Sequence, residues 1–156
     1  MKKIYMLIMC LIATTVMAAD IDERKVLSLN EMQRHHILTE MNALLLGTQQ
    51  ILQALSEEDM MAVARHARML GMEMAHTVEN HLRSVLPEDF MQLGMSVHQS
   101  FDQIAADAET LKNPKHTLGQ LSTTLQRCAT CHTAYQIRTT DLPAGAEAHP
   151  AHHKHH

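Results

Sequence analysis

The tightest constraint on this chain is a helical repeat that carries a cysteine pair. From about Lys115 to Arg138, the residues Leu118, Leu121, Leu125, Cys128, His132 and Tyr135 recur at alternating spacings of three and four without a miss. That is the period of one face of an amphipathic helix. A chain with this pattern has to bury that face against other helices. The pattern predicts a helix that holds Cys128 and His132 in register with core leucines, with Cys131 one turn from Cys128 at the edge of the same face.

The pentapeptide Cys128-Ala129-Thr130-Cys131-His132 reads as C-x-x-C-H, the attachment signature of a c-type haem. Two thiols three positions apart can each add to one vinyl group of a single haem. The next residue, His132, is then placed to coordinate the iron through an imidazole nitrogen. A disulfide or a redox-active dithiol is the competing reading of such a pair; the histidine that follows and the export signal described below fit haem attachment better. Zinc needs two further ligands at suitable spacing, and there is no second C-x-x-C. The expectation is one covalent haem c, bound by Cys128 and Cys131, with His132 as the proximal iron ligand.

The N-terminus reads as an address. Lys2 and Lys3 precede an apolar run from Ile4 to Val16 that is too short to span a bilayer, and Val16-Met17-Ala18 fits a signal-peptidase site. Residues 1–19 are thus expected to be a cleavable signal peptide, 20–140 one domain, and 141–156 a disordered tail. Met9 is too large for the small residue usual before a lipidated cysteine, so Cys10 is expected to leave with the signal. The expected location is the periplasm, with no membrane span after signal removal. C-type haems are attached outside the cytoplasm, so the address and the motif agree.

Composition narrows the partners. The chain has 13 Lys and Arg against 17 Asp and Glu, and removing the signal takes two of the lysines away. No basic stripe is visible, so nucleic acid is not an expected partner. There is no Trp, and beyond the signal only Phe90, Phe101 and Tyr135 are aromatic. A buried haem would supply the large flat apolar body that such a core lacks.

The rest of the chain reads as three more helices. The first starts at a capping box, Ser28-Leu29-Asn30-Glu31, and runs to about Leu55 with Arg34, Leu38, Met41, Leu45, Thr48, Leu52 and Leu55 inward. The second runs from Ser56 to about Val85 with Val63, Ala67, Leu70, Met74 and Val78 inward. The third follows Pro87 with Phe90, Leu93, Val97, Phe101, Ile104 and Leu111 inward. No strand-like alternation is read. The expected fold is all-α: an antiparallel up-down-up-down four-helix bundle with the haem near the C-terminal end of the fourth helix.

With the motif there, the chain resembles the cytochrome c′ family, the class II c-type cytochromes, over roughly residues 24–138. Cys128-Ala-Thr-Cys131-His132-Thr-Ala-Tyr135 is similar to the family's C-x-x-C-H-x-x-[FY]. Gln33-Arg34-His35-His36-Ile37-Leu38-Thr39-Glu40-Met41 is similar to its helix 1 pattern. The basic residue that the family places after the aromatic is Gln136 here. The resemblance implies that Leu38 faces the distal side of the iron, that Arg34 pairs with a haem propionate, and that Tyr135 belongs to the haem surroundings. It offers Met41 as the candidate sixth ligand, with core packing as the alternative. His35 and His36 lie on the flanks. The implied function is periplasmic electron transfer with redox partner proteins; the alternative is NO or CO binding at a five-coordinate iron. Family members often form homodimers through the first two helices. No acid–base pair or nucleophile arrangement points to an enzyme.

Two further features have a metal reading and a plain one. Met60, Met61, Met69, Met72, Met74, Met91 and Met95, with His66, His76 and His81, suggest either copper(I) or a methionine-filled core; the core is favoured because Met69 and Met72 leave the stripe of Met74. His149, His152, His153, His155 and His156 read as a weak metal-capturing tail or a solvated one.

Overall fold

The computed structural model describes residues 22–75 and 80–140. The expected signal peptide, His76, Val78, the His81 side chain and the His-rich tail lie outside the described residues. The elements are β1 (Lys25–Leu29), α1 (Glu31–Ser56), α2 (Met60–Met69), α3 (Met72–Ala75), α4 (Asn80–Arg83), α5 (Glu88–Thr110), α6 (Pro114–Ala134) and β2 (Tyr135–Thr139). Most of the described chain is helical. α1 packs on α2, α2 on α5, and α5 on α6.

α1 begins two residues later than the Ser28 box predicts. Asn30 is the cap: its side chain accepts from the Gln33 N–H at 2.9 Å, and the Gln33 side chain accepts from the Asn30 N–H at 3.0 Å. Ser28 belongs instead to β1. Residues 26–29 alternate, with Val26 and Ser28 exposed and Leu27 and Leu29 buried, a period-two signal only four residues long.

The expectation of a strand-free chain is corrected at both ends. α6 stops at Ala134 rather than Arg138, and residues 135–139 pair in parallel with β1, from Lys25 opposite Tyr135 to Leu29 opposite Thr139. The Thr140 N–H closes the pair on the Leu29 carbonyl at 2.9 Å. A parallel pair requires a long crossover, and here the crossover contains every helix. The two strands therefore bind the beginning of the domain to the residues just past His132.

The single helix expected from Ser56 to Val85 is also broken. α2 ends at Met69, and the Met72 N–H that opens α3 donates to Asp102 of α5 at 2.9 Å. Gly71 lies so close to the Asp102 carboxylate that any side chain there would collide with it. Asp102 thus takes over a backbone donor that a continuous helix would have used internally.

Two inward faces are rotated by about one residue from expectation. On α1 Thr48 and Leu55 are buried as expected, but Gln33, Ile37, Glu40, Leu44, Gly47 and Ile51 also turn inward, while Leu45 is 69% exposed and Leu52 44%. On α6 Leu121 and Cys128 face inward as expected, joined by Thr117, Thr124 and Cys131, with Leu118 and Leu125 exposed. The third helix matches its expected stripe from Phe90 to Ile104, but Leu111 is exposed. Of the methionines, Met60 is buried, whereas Met61 and Met69 are exposed.

The core has two parts. One joins α1, α2, α5 and α6 around Ile51, Val63, Phe101 and Ile104. The other lies under the strands, around Leu27, Leu29, Ile37, Phe90 and Tyr135, with Met41 and Cys131 packed against it.

Gly47 marks the closest approach of α1 to the end of α2. A Cβ there would meet the Leu70 side chain at 2.6 Å. Gly47→Ala is expected to lower stability by about 1–3 kcal/mol through overpacking, outweighing the better helix propensity of alanine, as measured by urea unfolding.

Candidate functional site

The cysteine motif opens on a small cavity between α1, α5 and α6. Cys128, Cys131 and His132 form its α6 wall, Ile37, Glu40, Met41 and Leu44 its α1 wall, and Phe90, Leu93, Gly94, Val97 and His98 its α5 wall. Its volume is about 110 Å³. A larger cavity of about 410 Å³ shares Ile37, Glu40, Phe90, Gly94 and His98 with it and extends to Leu86, Met91, Met95 and Arg83. That larger volume is in the range of small-molecule and cofactor sites.

Both cysteines are free thiols and half-buried. Burial pushes each thiol above its ordinary range; for Cys131 the neighbouring Cys128 adds to the effect. Such thiols rest protonated, which suits neither thiolate attack nor disulfide exchange. His132 was expected on the buried face. It is exposed, although the residue still borders the cavity. The rotation of α6 accounts for this, because Cys131 takes the inward position. The His132 carbonyl accepts from Arg24 Nη1 at 3.4 Å.

Tyr135 is buried and stands edge-on to Phe90, with ring centroids 5.2 Å apart. Lys25 Nζ binds the Asp89 carboxylate at 2.9 Å and lies over the Tyr135 ring, 5.5 Å from its centroid, and Tyr135 and Lys25 together favour the charged form of that carboxylate. One contact thus holds β1, the first turn of α5 and the start of β2 together, immediately behind the motif.

The residues that the family resemblance offered for the distal side divide. Met41 is half-buried and lines the cavity. Leu38 is half-buried and Arg34 exposed, and neither lines either cavity; nor do His35 and His36. The arginine on the cavity wall is Arg83. Ile37, on the neighbouring stripe, lines both cavities where Leu38 was expected.

Sequence reasoning missed His98 and Glu40. His98 is 3% exposed. Its Nδ1 lies 2.7 Å from the Leu70 carbonyl oxygen, and its Nε2 lies 2.8 Å from Glu40 Oε1. A carbonyl can only accept, so Nδ1 carries a hydrogen. Burial opposes the charged imidazolium, but Glu40 and the Leu70 carbonyl outweigh it, and the ring is held above its ordinary range. The missed signal was positional. His98 sits between Val97 and Phe101 on the apolar arc of α5, where a polar side chain needs a partner.

Gly94 lies one turn before His98, and a Cβ there would meet nothing within 4 Å. The α5 wall is bare beside the histidine. Among the described residues, no group of three or more His, Cys, Asp or Glu side chains gathers as a metal site. Comparison with protein-family models, curated proteins and solved structures finds no match to this chain.

Two outcomes are expected. Tyr135 first, then Lys25, hold the Asp89 carboxyl down to about 2 from an ordinary 3.8. A depressed carboxyl stabilises the fold above the unfolded value and loses that effect as pH falls through the folded one. Asp89→Asn should therefore lower Tm at neutral pH, and the gap to wild type should narrow between about pH 4 and pH 2 in thermal melts. Gly94→Ala adds helix propensity in open space and should raise stability by up to about 1 kcal/mol, read from the midpoint of denaturant unfolding.

Proposed function

We propose that this chain is an exported monohaem c-type cytochrome of the cytochrome c′ type, with its helices in an antiparallel up-down-up-down four-helix bundle. It carries electrons through a haem attached to Cys128 and Cys131, with His132 as the proximal ligand. The observation that carries this reading is the shared cavity. Two free, half-buried thiols one helical turn apart and the imidazole that follows them border the same apolar space.

The residues present fit the group. Cys128 and Cys131 are neutral thiols, and each can add its sulfur and its hydrogen across one vinyl double bond with no oxidant required. Ile37, Leu44, Leu93 and Val97 offer an apolar bed for a flat macrocycle, and Gly94 leaves it room. Arg83 on the wall of the larger cavity can meet a carboxylate there. Bound haem supplies an iron that cycles between ferrous and ferric forms. The sequence-level export signal supports the compartment in which such attachment occurs.

The apolar lining favours a second reading, capture of NO or CO at a five-coordinate iron. The two differ in spin state and in the response of the ferrous protein to CO. The shared premise is tested by the pyridine haemochrome of the purified holoprotein. Wild type is expected to keep its haem through acid–acetone extraction, whereas the Cys128→Ala, Cys131→Ala double variant should lose it. Covalent haem surviving in the double variant would refute the assignment.

A further inference from the structure

We propose that His98 supplies the second axial ligand of the haem iron through Nε2, making the centre bis-histidine and six-coordinate. This rests on the haem reading above and names a residue that the family resemblance does not.

His98 is the one buried histidine among the described residues, and it borders the cavity that Cys128, Cys131 and His132 border. Its ring is oriented as a ligand's ring must be. Nδ1–H is committed to the Leu70 carbonyl at 2.7 Å, so Nε2, now paired with Glu40, is the nitrogen whose partner can be exchanged for a metal. Metal-ligating histidines characteristically donate the other ring N–H to a carbonyl or carboxylate, which fixes both tautomer and orientation. Nε2 reaches Glu40 Oε1 at 2.8 Å, and Glu40 stands on the α1 wall of the same cavity. The ligating nitrogen is therefore aimed from α5 across to α1, beside the open space at Gly94. Met41 shares the cavity, but a thioether on a flexible chain has no comparable orientation.

The exchange balances. Nε2 releases its proton to solvent and turns its lone pair to the metal, with no change in oxidation state, and Glu40 gives up its hydrogen bond to the ring. An iron held from both sides has no open position for a gas, so the inference favours electron transfer over NO or CO capture.

The test uses the full-length holoprotein and reads ferric EPR, visible spectra and CO binding in the ferrous form. Wild type is expected to be low-spin in both oxidation states, to lack the long-wavelength methionine-to-iron band, and to bind no CO. Met41→Leu should leave all three unchanged. His98→Gln keeps donors for the Leu70 carbonyl and Glu40; it should turn the ferric iron high-spin and open the ferrous iron to CO. Covalent haem with a high-spin wild type, a methionine band, or loss of the low-spin signal in Met41→Leu would overturn the inference while leaving the haem assignment standing. Absence of covalent haem would remove both. The wild-type and Met41→Leu spectra decide the matter whether or not His98→Gln folds.

Discussion

The hydrogen-bonded imidazole of His98 is the contact on which the middle of the molecule depends. It reaches the Leu70 carbonyl at the end of α2 and the Glu40 carboxylate on α1 from a buried position on α5. A helix end leaves carbonyls without intrahelical partners and carries partial negative charge. The Nδ1–H of the ring serves that carbonyl while its other nitrogen meets Glu40. Leu70 closes the circuit, because its side chain fills the space that Gly47 leaves on α1 while its carbonyl receives His98. With Glu40 turned inward to meet the ring, helical periodicity brings Ile37, Leu44 and Gly47 inward too. The rotation of α1 and the break after α2 are thus parts of one arrangement.

That arrangement explains which features were legible in the sequence. Four long apolar-periodic segments were visible, and helices occupy all four. The stripe of α5 from Phe90 to Ile104 was legible because its inward residues are large and apolar. On α1 and α6 Thr48, Leu55, Leu121 and Cys128 were read correctly, and the rest of each stripe was misread by one residue because the inward positions include Gln33, Glu40, Gly47, Thr117 and Thr124. A reading by hydrophobicity prefers the leucines one position away. Each of Gln33, Glu40, Gly47 and Thr124 has a specific reason to be inside. Gln33 caps α1, Glu40 pairs with His98, Gly47 admits Leu70, and the Thr124 hydroxyl donates to the Gln120 carbonyl at 2.9 Å. Apart from the local Thr124 back-bond, these are pairings between residues far apart or at helix ends, and periodicity carries no information about them.

The strands were hidden for a different reason. Residues 25–29 and 135–139 each offer only five positions of weak alternation. Their pairing is between the two ends of the domain, so neither segment announces the other. The capping signal at Ser28 competed directly with the strand that holds it. Of the candidate site, the pentapeptide can be read directly from the sequence and Met41 borders the cavity, whereas His98, Glu40 and Gly94 emerged only when three helices were brought together.

The strand pair also bears on how firmly the motif is held. Cys128, Cys131 and His132 all lie on the last turns of α6, and the Tyr135 N–H still donates to the Cys131 carbonyl as the chain leaves the helix. Beyond that point the chain does not fray, because Tyr135 enters β2, packs on Phe90 and is tied to Asp89 and Lys25. Phe90 is itself part of the cavity wall. The α6 side of the site is therefore fixed through backbone and aromatic contacts that no proton can remove near neutral pH. The facing side is fixed through an imidazole and a carboxylate, groups whose hydrogen bonds change with protonation. A site with one wall rigid and the other polar can keep a cofactor in place covalently while leaving the environment of its far face to two side chains.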